Sequence, residues 1–120
     1  LAVVRYMCDR VLVMYLGKIV ESASGDELFV RPAHPYTEAL LSAVPDVEKA
    51  LGGGKGKKRR IVLKGDVPSP AEVIPGCPFH PRCHRAKDIC RTTITWGRMV
   101  SRDHVSVCHF ADEIRSGSIL

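Results

Sequence analysis

The period at which apolar residues recur changes several times along the chain, and each change marks an element. Val3, Val4 and Met7 share one helical stripe, so residues 1–10 read as the last turns of a helix whose start lies before Leu1. Residues 10–15 are rich in Val, Leu and Met, Leu16-Gly17 is a turn signal, and residues 18–21 continue with Ile19 and Val20, which predicts a short β-hairpin. A lone two-stranded hairpin is marginal in water, so it implies a larger sheet or a neighbouring layer, which this piece of chain need not contain. Ser24 is placed to cap a helix over residues 26–30, with Asp26 and Glu27 in its first turn and Pro32 stopping it. His34-Pro35-Tyr36 opens a second helix, in which Ala39, Leu40 and Ala43 share a face and which Pro45 ends after Val44. Residues 46–51 add a turn, and residues 61–63 resume as a short strand. Beyond them Pro68, Pro70, Pro75, Pro78 and Pro81 disfavour helix.

These elements describe an α+β chain in four parts: residues 1–51, a Gly/Lys-rich linker over 52–60, a cysteine-rich extension over 61–113, and a tail over 114–120. Hydrophobic residues make up 45% of the 120, charged residues 26%, and mean hydropathy is -0.02, as in soluble globular chains. Each part is too small to bury much apolar surface alone, so additional staples are expected. No apolar run approaches the roughly 20 residues of a bilayer-spanning helix, and membrane association is expected to come through a partner. Leu1 sits in an apolar run with neither the basic flank nor the cleavage site of a signal peptide, so the start reads as cut.

The net charge is +5, and Lys55, Lys57, Lys58, Arg59 and Arg60 equal that surplus. Behind Gly52, Gly53 and Gly54, and with no aromatic residue between them to stack a base, they read as a solvated linker, and no nucleic acid is expected as a partner.

Cys77-x5-Cys83-x6-Cys90-x17-Cys108 gathers four of the five cysteines into the C-terminal part, while Cys8 stands alone near the first helix and reads as a core thiol. Four thiolates from one loop-rich segment can complete a tetrahedral zinc site or hold an iron-sulfur cubane. The gaps are wider than the short knuckles of structural zinc sites, which favours a cluster and leaves zinc as the alternative. Pro78 and Pro81 stiffen the first loop, and a helical turn over residues 85–89 presents the third sulfur. His80, His104 and His109 flank the cysteines as substitute ligands, as hydrogen-bond donors to the ligands, or as surface groups. Pro-rich and charged surroundings promise the four sulfurs little apolar cover, and Trp96 is assigned to packing. An odd cysteine total and the absence of an export signal weigh against structural disulfides.

Three separated stretches resemble the ATP-binding subunits of ABC-type oligopeptide and dipeptide importers. Leu1-Ala2-Val3-Val4-Arg5-Tyr6-Met7-Cys8-Asp9-Arg10-Val11 through Glu21 is similar to the segment that follows that family's switch histidine. His34-Pro35-Tyr36-Thr37 with Leu40-Leu41 and Pro45 resembles the signature closing the nucleotide-binding fold. Gly65-Asp66-Val67-Pro68-Ser69-Pro70, Gly76-Cys77-Pro78-Phe79-His80-Pro81-Arg82-Cys83, Cys90 and His104-Val105-Ser106-Val107-Cys108-His109 are similar to the C-terminal extension. The resemblance implies that residues 1–51 end an ABC ATPase α/β domain and that Cys77, Cys83, Cys90 and Cys108 hold a four-iron four-sulfur cluster. It also implies permease subunits and a second ATP-binding subunit as partners, and a peripheral position at the cytoplasmic face of the membrane. ATP and Mg would be bound upstream, since no G-x-x-x-x-G-K-[ST] string occurs in these residues and Gly52-Gly53-Gly54-Lys55-Gly56-Lys57 lacks its order. These 120 residues are therefore not expected to be an enzyme by themselves. Two readings from other classes stand beside this one: a small metal-bearing nucleic-acid-binding module, and a redox switch in which cysteine pairs cycle to disulfides.

Overall fold

A computed structural model describes residues 2–43, 61–63, 65, 67–69, 71 and 73–116. In chain order the elements are α1 (Ala2–Met7), β1 (Arg10–Tyr15), β2 (Lys18–Ser24), α2 (Gly25–Val30), α3 (Pro35–Ser42), a 3-10 turn (His80–Arg82), α4 (Asp88–Thr92), β3 (Arg98–Ser101), β4 (His104–Ser106) and α5 (Ala111–Ser116). This is the α+β class expected from the sequence. The predictions for Val44 and Pro45, the turn over 46–51 and the basic linker over 52–60 lie outside the described residues. Among the described residues no helix is long and apolar enough to cross a membrane.

The hairpin forms where the apolar run and the Leu16-Gly17 turn signal place it. Val13 and Tyr15 are buried, whereas Arg10, Leu12 and Met14 are exposed. Leu16 and Gly17 both have positive φ, 51° and 76°, the geometry of a type I′ turn whose twist matches the strands it joins. A left-handed Leu costs about 1–2 kcal/mol, so the flanking pairs must hold it. Val13 pairs with Glu21 and Met14 with Ile19, which leaves Val20 as the extra residue of a bulge. Two consecutive side chains, Val20 and Glu21, are buried there.

The neighbouring strands come from the C-terminal half of the same chain. β4 pairs antiparallel with β2 through Glu21↔Ser106 and Ser22↔Val105, and β3 pairs with β4, giving the order β1-β2-β4-β3. Val107 prolongs the contact by donating its N–H to Val20 O at 2.8 Å. The sequence reading did not anticipate β3 and β4, which are four and three residues long. Their one local cue is Asp103, whose φ of 62° closes the connecting turn in a region that Asp tolerates better than most residues.

Other expectations are corrected. Residues 61–63 form no strand; Ile61 donates its N–H to Ser42 Oγ at 2.9 Å, at the end of α3. The helical turn expected over residues 85–89 forms later, as α4, because Lys87 is extended and Asp88 opens the helix with its carboxylate paired to Arg91. Trp96 is 78% exposed, and the side chain that turns inward beside it is Thr95. Cys8 is exposed: it follows the last residue of α1 and belongs to neither apolar cluster.

The cysteine-bearing part has more apolar cover than its composition promised. Phe79, 1% exposed, joins Val13, Tyr15, Val20, Leu28, Phe29 and Leu41 in the main cluster, with its ring 5.0 Å from Tyr15 and 5.4 Å from Tyr36. Burying one such side chain contributes about 1.5–3 kcal/mol. A second cluster unites Ala33 with Cys108, Ala111 and Ile114.

Caps fix both short helices of the first half. Ser24 Oγ accepts the Glu27 N–H at 3.3 Å, as expected. His34 Nδ1 accepts the Tyr36 N–H at 3.1 Å at the start of α3, with Pro35 in the first turn. With Nδ1 accepting, the ring is held in its Nε2–H form. Burial lowers the His34 pKa to about 4, offset only in part by the Val107 carbonyl and the charge of Glu38.

A buried polar network joins the two halves of the sheet. Glu21 Oε2 accepts the Ala33 N–H at 2.8 Å and the His104 Nε2–H at 2.5 Å, with both side chains fully enclosed. Arg115 Nε donates to His104 Nδ1 at 3.3 Å, which fixes the tautomer, and its Nη2 donates to Glu27 Oε2 at 2.8 Å. Ser106 Oγ donates to Ala33 O at 2.7 Å, so both backbone groups of Ala33 are satisfied by side chains from β2 and β4.

Two outcomes follow for stability. Glu21→Ala leaves the Ala33 N–H and His104 without an acceptor and is expected to cost about 3–5 kcal/mol, whereas Glu21→Gln keeps an acceptor oxygen and costs less; denaturant midpoints of the two variants test the order. Because the His34 pKa is depressed in the fold, its contribution is complete above the ordinary His range near 6.5 and is lost as pH falls toward about 4. Stability measured from pH 7 down to 4 should fall by up to about 3 kcal/mol more in the parent than in His34→Asn, a variant that retains a cap.

Candidate functional site

Cys77, Cys83, Cys90 and Cys108 line one cleft, walled by Pro35, Phe79 and Phe110 and edged by His80, Arg85 and His109. The loop after Gly76 delivers Cys77, the 3-10 turn ends on Cys83, α4 carries Cys90, and the loop leaving β4 carries Cys108. Gly76 has a φ of 68°, and a Cβ there would lie 2.5 Å from Cys90 O, so only glycine lets this loop lie against α4. Cys77 donates its N–H to Cys90 O at 2.8 Å across that contact. The four cysteines singled out in the sequence thus all line this cleft.

The cleft favours neutral thiols. Burial pushes the Cys83 thiol up to about 11 and the Cys108 thiol to about 12, against the N–H groups of Arg85 and Phe110, which donate to their sulfurs at 3.4 Å. Burial also raises Cys77, with the Phe79 N–H opposing it. Arg85 braces the loop from the side: its Nε and Nη2 donate to Glu38 Oε1 and Oε2 at 2.7 and 2.9 Å. Burial alone would raise the Glu38 carboxyl, but bonds from His84 and Arg85 outweigh it and hold the group below its ordinary range.

The expected cofactor is not supported. Among the described residues no group of three or more His, Cys, Asp or Glu is disposed to hold a metal ion, so neither the four-iron four-sulfur cluster nor zinc fits the arrangement. The surroundings accord with this, since burial against aromatic walls favours the sulfurs as protonated thiols.

The three histidines separate. His80 and His109 edge the cleft, but His80 Nδ1 donates to Cys77 O and His109 Nε2 to Thr93 O, both at 2.8 Å. His104 lines no part of it and is the buried partner of Glu21. Sequence reasoning missed Glu21, Arg115 and the Glu38–Arg85 pair. The signal for Glu21 was its position among apolar strand residues on a register that turns inward.

Comparison with known proteins gives a consistent result. The family model described as oligopeptide/dipeptide transporter, C-terminal region, matches residues 20–90. The oligopeptide transport ATP-binding protein AppF of Bacillus subtilis is 50% identical over 109 residues, which are 91% of this chain and 32% of that protein. The di/tripeptide transport ATP-binding protein DppF of Pseudomonas aeruginosa is 41% identical over 113 residues, 94% of this chain and 33% of that protein. The chain thus spans about a third of the length of the curated relatives it matches. With more than half of its residues matched, this chain belongs to the oligopeptide/dipeptide transporter C-terminal region family.

Proposed function

We propose that the chain is the C-terminal part of the ATP-hydrolysing subunit of an ABC-type peptide importer. The observation that carries this reading is the identity of 41–50% over nine-tenths of the chain to proteins named as peptide transport ATP-binding proteins. On this reading residues 1–51 end the nucleotide-binding domain, and the extension over 61–113 is architectural. β4 lies along β2 and His104 closes on Glu21, so the extension holds the end of the ATPase domain in register. ATP and Mg are bound by the rest of the subunit, which works with a second ATP-binding subunit and membrane-embedded permease subunits at the cytoplasmic face of the membrane. Phosphoryl transfer there requires a phosphate-cradling loop and a bound metal ion, which on this reading the rest of the subunit provides.

The full-length subunit, reconstituted with its permease partners in vesicles, is expected to take up labelled oligopeptides only when ATP is present. A full-length sequence without a G-x-x-x-x-G-K-[ST] loop, or uptake independent of ATP, rejects the reading. His104→Ala in the same assembly should lower the melting temperature of the subunit by several degrees, in line with about 2 kcal/mol or more lost from a buried hydrogen-bonded pair.

A further inference from the structure

We propose that the outward face of the sheet, from β1 across to β3, is a docking surface for the rest of the ATP-binding subunit. One layer then covers the hairpin and the extension together. The inference rests on the reading of this chain as the C-terminal part of such a subunit. Paired residues of a sheet share a face. The register links Leu12 with Ser22, Ser22 with Val105 and Val105 with Met99, one row across all four strands. Met14 lies two residues beyond Leu12 and pairs with Ile19, which adds a second row on the same side. The cluster that holds Leu28, Phe29 and Leu41 of α2 and α3 lies on the opposite side, with Val13, Tyr15 and Ala23.

An antiparallel sheet with one solvated face places polar side chains on that face. Here Leu12, Met14, Ile19 and Met99 stand on it, between 48% and 70% exposed, with Val105 half-buried among them. Isolated exposed apolar residues are ordinary, whereas aligned rows of them mark an interface. The hydroxyl in the long row, Ser22 Oγ, already accepts the Arg10 Nε–H at 2.9 Å, so covering the row leaves that group bonded. Two features select the occupant. β1 ends the sheet order, and its six residues present an unpaired backbone edge beside Leu12 and Met14. A layer that pairs with this edge and folds over the face satisfies both at once. The chain for such a layer is at hand, because the matched residues are only 32% of AppF and 33% of DppF. A segment tethered in the same polypeptide also has an effective concentration that a separate molecule lacks. Met99 and Val105 thereby make the extension part of the packing of the ATPase domain.

Methionine oxidation gives a direct test, since trypsin places Met14 and Met99 on separate peptides, residues 11–18 and 99–102. The full-length subunit, without permeases and diluted until light scattering shows a monomer, is treated with hydrogen peroxide in buffer and in urea. Sulfoxide in the two peptides is followed by mass spectrometry. Covered methionines are expected to oxidise about tenfold or more slowly in buffer than in urea, whereas bare ones stay within about twofold. The same protein labelled with photo-methionine and irradiated should join both peptides to sequence preceding Leu1. Unprotected Met14 or Met99, protection that appears only on dimerisation or on adding permeases, or the absence of cross-links to that preceding sequence overturns the proposal. ATP-driven uptake tests the underlying reading separately: unprotected methionines in a subunit that supports uptake reject the docking surface and leave that reading standing.

Discussion

A carboxylate taken out of water destabilises a fold unless donors meet it, and Glu21 is met by two: the Ala33 N–H and the His104 ring. Those donors come from different parts of the chain, so the charge can be satisfied only when both are in place. Ala33 lies in the loop between α2 and α3, and His104 begins β4. The bulge at Val20 serves the same end, since it lets the hairpin send Val20 into the apolar cluster and the next residue, Glu21, inward to its donors. Arg115 then reaches from α5 to both His104 and Glu27, which extends the network to the last described helix.

The cysteine segment rests on that frame. Phe79 enters the main apolar cluster between Tyr15 and Tyr36, and Cys108 packs with Ala33 in the second, so the cleft borrows its walls from both. The Glu38–Arg85 fork ties the turn that bears Cys83 to α3. Thiols gathered in this way are shielded from water by aromatic rings. Shielding favours the S–H form, and it separates the convergence of four cysteines, which the structure has, from metal coordination, which its donor geometry does not support.

Local signals in the sequence carried the first half well. The run of Val, Leu and Met over residues 10–15 placed β1, Leu16-Gly17 placed the turn, and Ser24 and Pro35 placed two helix starts. The partner of β2 was illegible, because a three-residue strand such as His104–Ser106 has no period to detect and its pairing is a long-range fact. Trp96 was misread because packing is the usual fate of tryptophan, whereas here the chain turns the small Thr95 inward. For the site, the sequence singled out the four cysteines that line the cleft. It could not reveal what surrounds them, since the apolar cover comes from Phe79, Pro35 and Phe110, which stand in three separate stretches of the chain.

The sheet order β1-β2-β4-β3 bears on how the molecule is made. Glu21 and His104 are separated by 83 residues, so the ribosome completes β1, β2 and the helices after them well before β4 exists. During that interval the free edge of β2 and the carboxylate of Glu21 have no mate, and synthesis at roughly 5–20 residues per second makes the wait one of several seconds. Closing so long a loop is slow compared with forming the local hairpin. The nascent chain therefore exposes an unpaired strand edge throughout that interval, the period in which chaperone cover would matter most.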